Sequence, residues 1–101
     1  MDIKNLMQEA QKMQNKMQKI QKTLEKEIVQ GESGGGIVII HMNCKGGIQK
    51  LKIEKNLINC NNEIEVLEDL IIAAFNNAQK KIKIKTNDYM TSAGLPNNTM
   101  F

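Results

Sequence analysis

The chain has 101 residues, a length typical of one domain, with a formal net charge of +3. All 14 basic residues are lysine, and there are only one tyrosine, two phenylalanines and no tryptophan. A stacking platform for single-stranded nucleic acid needs several exposed aromatic rings, so that class is not expected. No apolar run has the length of a membrane span, and the first residues do not resemble a signal peptide, so we expect a cytoplasmic protein without a membrane partner.

Two cysteines and one histidine are the candidate metal ligands. A cytoplasmic setting predicts that Cys44 and Cys60 are reduced and unpaired. Together with His41 they lack a fourth ligand and any CxxC spacing, so we expect no metal site. His41 has no evident catalytic partner and no nucleophile lies in a recognisable setting, so neither an enzyme, a cofactor nor a small-molecule substrate is expected.

The first predicted element is a long helix from Ile3 to about Gln30. Its apolar residues follow a seven-residue repeat, which is typical of a helix that packs along another helix. About 28 residues give a rod of roughly 42 Å, too long for one small domain to cover. The residues of the repeat are Ile3, Leu6, Ala10, Met13, Met17, Ile20 and Leu24.

Lysines accumulate on the second half of this helix. Residues 10 to 26 contain five lysines and one acid, Glu25, which gives a local charge of +4. An ordinary solvated face is the simplest interpretation of a lysine stripe. It is weakened here because few acids stand four residues before the lysines, where they would form intrahelical pairs.

A glycine-rich segment, Gly31 to Gly36, follows and is predicted to be a pivot where the chain leaves the helix and enters a sheet. It is not a phosphate-binding P-loop, since Ile37 and Val38 stand where Lys and Ser/Thr are required. Ile37 to Asn43 and Ile48 to Ile53 are predicted strands joined by a turn at Cys44 to Gly47. Glu27 to Glu32 would add a short first strand, giving a three-stranded antiparallel sheet.

Asn56 to Cys60 is predicted to form one helical turn, and Asn61 or Asn62 to cap a second long helix. That helix carries apolar residues at 3/4 spacing from Ile64 to Ile82, acids in its first turns and four lysines at its end. We place a single domain at residues 1–85 and a loose tail at residues 86–101.

Two long amphipathic helices leave little chain for a protomer core, so exposed apolar side chains on them are expected to need a second copy. A homodimer is therefore predicted from the sequence.

Several of these segments resemble the YbaB/EbfC family of bacterial nucleoid-associated proteins. The matching stretches are Leu6-Met7 with Gln11 to Gln14, Gly31 to Gly36, Leu67 to Ile71 with Ala73 to Asn76, and Gly94 to Pro96. The resemblance implies an α+β protomer of order α-β-β-β-α and a tweezer-like homodimer with the long helices as arms. It also implies binding to double-stranded DNA without an enzymatic step, in the nucleoid.

The family pattern identifies no DNA-contacting side chain, so the predicted contacts come from charge placement alone. Lysine side chains would bind phosphates, and the protein would thereby alter DNA conformation, with roles in nucleoid organisation and regulation of gene expression. The alternative is a protein–protein docking module that uses the methionine-rich heptad helix, with lysines only for solubility. The predicted DNA-binding residues are Lys12, Lys16, Lys19, Lys22, Lys26, Lys80, Lys81, Lys83 and Lys85.

Overall fold

A computed structural model describes residues 2–55 and 63–95 of the chain. Its elements confirm the predicted α-β-β-β-α order and the small antiparallel sheet. They are α1 (Ile3–Lys26), β1 (Ile28–Ser33), β2 (Val38–Asn43), β3 (Ile48–Ile53) and α2 (Glu63–Ser92).

Helix α1 begins and ends at residues that satisfy its free backbone groups. The Asp2 carboxylate accepts the Lys4 N–H at 3.1 Å and so caps the first turn. The helix ends at Lys26, earlier than the predicted Gln30, and Glu27 takes an extended conformation while its N–H donates to the Thr23 carbonyl. The β-branched pair Ile28-Val29 follows and favours the strand β1 over another helical turn.

The three strands form a sheet of order β1-β2-β3, with both neighbouring pairs antiparallel. Strand β2 is central, as its two apolar faces indicated. Val38, Ile40 and Met42 on one face are buried, whereas Ile39 and His41 on the other are half-buried. The first face therefore provides the floor of the core.

The glycine-rich segment lies at a different place in the fold from the one predicted. Gly34, Gly35 and Gly36 have φ values of 61°, 69° and 98° and form the turn between β1 and β2. The prediction of a pivot from helix to sheet was wrong, because α1 has already ended at Lys26 and β1 intervenes. Three successive positive φ angles explain why glycine stands at each position.

Helix α2 lies over β1 and β2 and runs antiparallel to β1. The Ser33 hydroxyl donates to the Leu70 carbonyl at 2.5 Å near one end of β1, and Lys85 pairs with Glu27 at the other. A stripe at four-residue spacing faces the sheet and α1. Its buried members are Ala74, Ala78, Ile82, Thr86 and Met90.

The second helix continues past the predicted start of the tail at residue 86. Thr86, Met90 and Leu95 are buried, so this polar-looking stretch contributes to the core instead of leaving it. The tail prediction was wrong for residues 86–92, because a buried position every fourth residue is enough to hold a helix whose other residues are polar. Residues 96–101 of that tail, the predicted turn at 56–60 and the predicted caps at 61 and 62 lie outside the described residues.

The molecule is elongated. Its radius of gyration is 19.0 Å and its extents are 71 × 20 × 17 Å, whereas a compact chain of this length has a radius of about 13 Å. The α1 residues from 3 to 16 are exposed, and only Ile20 and Leu24 of this helix are buried. Within the described residues, neither helix has the length and apolarity that a membrane span requires.

Candidate nucleic-acid interface

The α1 lysines form a continuous basic strip on a solvent-exposed face of the helix. At about 100° per residue, the five lysines lie within an arc of about 120°, spread over about 21 Å of helix length. The buried Ile20 and Leu24 lie about 100° and 140° around the helix from the middle of that arc. The described residues offer none of these lysine ammonium groups a hydrogen bond or an ion pair. The five, which we call the α1 lysine strip, are Lys12, Lys16, Lys19, Lys22 and Lys26, and all are exposed.

The α2 lysines divide into two kinds. Lys80 and Lys83 are exposed and have no internal partner among the described residues. In contrast, the Lys81 ammonium donates to the Gln30 carbonyl at 2.6 Å. Lys85 lies 3.0 Å from a Glu27 carboxylate oxygen, and this hydrogen bond raises the pKa of Lys85. Two of the four predicted α2 contacts therefore already have protein partners.

The fold brings the two lysine groups to a common junction. The end of α2 lies along α1, because Tyr89 reaches Glu27 at the end of α1, and Leu95 lines the same open cavity as Lys12, Met13 and Lys16 farther up the helix. Lys26 immediately precedes Glu27, and Lys85 contacts the same Glu27 carboxylate. Glu27 therefore connects the end of the α1 lysine strip to Lys85 of α2, an arrangement that the sequence did not determine.

Two lysines outside the predicted set lie on the open face of the sheet. Lys50 pairs across the strands with His41, and Lys52 pairs with Ile39, on the face away from α2. Both lysines are exposed. Their alternation along β3 is visible in the sequence, but only the sheet register shows that they lie opposite His41 and Ile39 and form a separate basic surface.

The cysteine and histidine are not gathered into a metal site. Across residues 2–55 and 63–95, the structure brings no three His, Cys, Asp or Glu side chains close enough together to hold a metal ion. Cys44 is a buried free thiol, and its burial raises the pKa of that thiol. Such a thiol is a poor nucleophile at neutral pH. Cys60 lies outside the described residues.

Comparisons with known proteins identify the family. The model of the YbaB/EbfC DNA-binding family matches residues 1–95. The chain belongs to the YbaB/EbfC DNA-binding family. A nucleoid-associated protein of Legionella pneumophila (strain Corby) is 45% identical over 96 residues, covering 93% of this chain and 84% of that protein.

A second relative and one solved structure extend this result. A nucleoid-associated protein of Dictyoglomus thermophilum is 44% identical over 92 residues, covering 89% of this YbaB/EbfC chain and 88% of the relative. The crystal structure of uncharacterized protein HP0035 from Helicobacter pylori superposes with a TM-score of 0.79 over 92% of this chain and 97% of that one. Sequence identity to HP0035 is 20%, so that likeness concerns the fold alone.

Proposed function

We propose that this protein binds double-stranded DNA as a homodimer, through lysine contacts with phosphates, and thereby alters DNA conformation in the nucleoid. The observation that carries the proposal is the α1 lysine strip, whose five charges have no internal partner among the described residues. Membership of a DNA-binding family supports the choice of ligand. Roles in nucleoid organisation and gene expression follow from DNA bending, bridging or coating.

Lysine contacts determine the kind of recognition that is expected. A lysine ammonium binds phosphate as a point charge and lacks the planar fork that arginine offers to guanine. Phosphate contacts position a protein on the duplex and carry no sequence information directly. Binding should therefore depend strongly on salt and weakly on base sequence. It also requires no catalytic step, since charge and shape suffice.

The homodimer part of the proposal is supported by the amount of exposed surface. The protomer of 11.4 kDa exposes 7490 Å², whereas a compact monomer of that mass exposes about 5,800 Å². A standard protein interface covers about 800 Å² on each partner. The protomer therefore has surface to spare for an interface of ordinary size.

Strand β3 is the part of that surface that best fits a second copy. Helix α2 covers β1 and β2 and leaves the same face of β3 uncovered, with Ile48 56% and Leu51 47% exposed. The outer edge of β1 is already capped, because Asn77 accepts the Glu32 N–H and Lys81 donates to the Gln30 carbonyl. The β3 edge carries no such cap from the described residues. We place the dimer contact on β3 and its uncovered apolar side.

The alternative, a protein docking arm, is favoured by one observation. Ile3 is 72% and Met7 is 67% exposed on the half of α1 that projects from the fold. This apolar side lies away from the α1 lysine strip. A protein partner bound to the apolar side would therefore leave the α1 lysine strip free. The two functions predict different effects of removing the lysines.

A lysine-to-glutamine series tests the proposal. Replacing four members of the α1 lysine strip, Lys12, Lys16, Lys19 and Lys22, should weaken binding to a random duplex by tenfold or more at fixed low salt. The matched control removes the same charge elsewhere, at Lys45, Lys50, Lys52 and Lys55, and should weaken binding much less. Binding would be measured by fluorescence anisotropy.

Each other result has a clear meaning. A stronger effect of the control set would place DNA on or beside β3, where Lys50 and Lys52 lie on the open sheet face. Equal effects of both sets would mean that only the total charge matters. No DNA binding by a folded wild-type dimer would favour the docking arm.

A further inference from the structure

One polar cluster joins the base of α1 to α2. The Tyr89 hydroxyl donates to Glu27 Oε1 at 2.5 Å, and Lys85 Nζ lies 3.0 Å from Glu27 Oε2. Both oxygens of one carboxylate are therefore engaged by two residues of α2, one helical turn apart. We call these three residues the Glu27 cluster. Among the described residues, it contains the one ion pair and the one tyrosine hydrogen bond that join the end of α1 to α2.

Glu27 also lies at the point where the direction of α1 is determined. It is the first residue after the helix, and its N–H still bonds to Thr23. Its carbonyl and that of Leu24 both accept the Cys44 N–H, at 3.0 and 3.1 Å, from the end of β2. Helix α1, the sheet and α2 thus converge on this residue.

The apolar contact that holds α1 is small compared with the length of the helix. Ile20 and Leu24 are its only buried residues among those described, and both lie in its last two turns. With 24 residues, α1 is about 36 Å long, so a 10° change at Glu27 would move its far end by about 6 Å.

We propose that Glu27 is a positioning residue, whose bidentate contact with Lys85 and Tyr89 sets the angle of α1 and hence the spacing of the two lysine groups. Only the second part of this inference, the effect of lysine spacing on DNA binding, rests on the proposed function. The angle is a property of the protein without DNA. The spacing matters because the lysines must meet phosphates at fixed separations along a duplex.

The electrostatics of the cluster support this role. The Tyr89 hydrogen bond and then Lys85 lower the pKa of Glu27, so the carboxylate is charged at neutral pH. Lys85 is correspondingly less available to a phosphate, since it already has an anionic partner. In this account Lys85 acts through Glu27, and the free lysines make the DNA contacts.

A change in the angle can be detected as a change in the distance between spin labels at positions 5 and 79, measured by pulsed electron paramagnetic resonance. Both positions are exposed. Labels would be introduced with Cys44 and Cys60 replaced by alanine, and labelled protein would be diluted with unlabelled protein to remove signals between protomers. Glu27→Gln and Tyr89→Phe should each broaden or shift the distance distribution. Glu25→Gln is the matched control, because it removes the same charge from an exposed neighbour on α1.

DNA affinity is a second measurement, and it distinguishes an effect of charge from an effect of positioning. Charge alone predicts that Glu25→Gln and Glu27→Gln both bind duplex DNA more tightly, since each removes one negative charge. Positioning predicts that Glu27→Gln binds DNA at least about threefold more weakly than Glu25→Gln, because lysines at altered separations meet fewer phosphates. The double replacement Glu27→Lys with Lys85→Glu restores the ion pair at unchanged net charge but not the Tyr89 hydrogen bond, and should recover the wild-type distance and affinity in part.

The outcomes separate this inference from the proposed function. An unchanged distance distribution in folded Glu27→Gln would overturn the positioning role, whatever the DNA result. A changed distance with affinity equal to that of Glu25→Gln would overturn its importance for DNA. If wild-type protein does not bind DNA, the proposed function fails, whereas the distance measurement still decides whether Glu27 positions α1.

Discussion

Gly31 determines how closely α2 approaches the sheet. A Cβ atom at this position would lie 2.2 Å from the Ala74 carbonyl oxygen and 2.6 Å from the Ala78 Cβ. Ala74 and Ala78 are fully buried and small, so the helix and strand backbones are in near contact here. The position requires glycine for space, because the contact includes backbone that no rotamer change can move.

We expect Gly31→Ala to destabilise the protomer by about 3 kcal/mol or more, since α2 must shift to accommodate the methyl group. Gly35→Ala is the control: its φ of 69° disfavours alanine, but no atom lies within 4 Å. That change should cost about 1–2 kcal/mol from backbone strain alone. Urea unfolding followed by circular dichroism compares the two, and equal losses would contradict the close approach.

Thr86 is a buried polar residue in an otherwise apolar stripe. Its hydroxyl has no hydrogen-bond partner among the described protein atoms, and it is 3% exposed. Valine has the same shape without the hydroxyl, so Thr86→Val should leave stability unchanged or raise it by about 1 kcal/mol. A loss of more than about 1 kcal/mol in thermal or urea unfolding would show that the hydroxyl has a partner.

At the scale of the elements, the local sequence predicted the type and order of each element. Alternating burial along Val38, Ile40 and Met42, and the 3/4 spacing on both helices, reflect periods that a sequence carries directly. The element ends were harder to predict. The end of α1 is decided by the pairing of Ile28-Val29 with β2. The length of α2 is decided by the burial of Met90 in the core that also contains Ile20 and Leu24, so both ends depend on tertiary contacts.

The candidate site shows the same division between local and tertiary information. The α1 lysine strip follows from helical spacing and lies where it was predicted to lie, as an exposed face. The sequence could not show that Lys81 and Lys85 are bound to β1 and Glu27, because those partners are more than 50 residues away in the chain. It also could not show that Lys50 and Lys52 flank the half-buried positions of β2, which requires the register.

The contact between α1 and α2 can be followed through Tyr89, the only tyrosine in a chain without tryptophan. Its hydrogen bond to the Glu27 carboxylate raises the pKa of Tyr89 above its ordinary value. Removing that carboxylate removes the cause, so Glu27→Gln should lower the pKa of Tyr89 back toward about 10. An alkaline absorbance titration measures this directly, and Glu25→Gln should leave the midpoint in place. Coincident midpoints for wild type and Glu27→Gln would contradict the contact.

At the scale of the whole molecule, an elongated protomer with an uncovered strand is expected to be stable as part of an assembly. Ile48→Ser with Leu51→Ser, on the uncovered side of β3, should weaken the proposed dimer by 10-fold or more, a loss of about 1.4 kcal/mol or more. Lys50→Ser with Lys52→Ser changes the opposite face of the same strand and should leave the dimer intact. Sedimentation equilibrium gives both dissociation constants. A dimer unaffected by the first pair of changes would place the interface elsewhere.

Lysines on the two long helices are proposed to bind the phosphates of a DNA duplex, and the salt dependence of DNA binding by the wild-type protein tests this most directly. About six phosphate contacts per dimer predict that log K falls with log salt concentration with a slope near −5. Binding to a random duplex, measured between low and moderate salt, should show that slope and little dependence on base sequence. A flat salt curve, or no binding at low salt by a folded protein, would contradict the account.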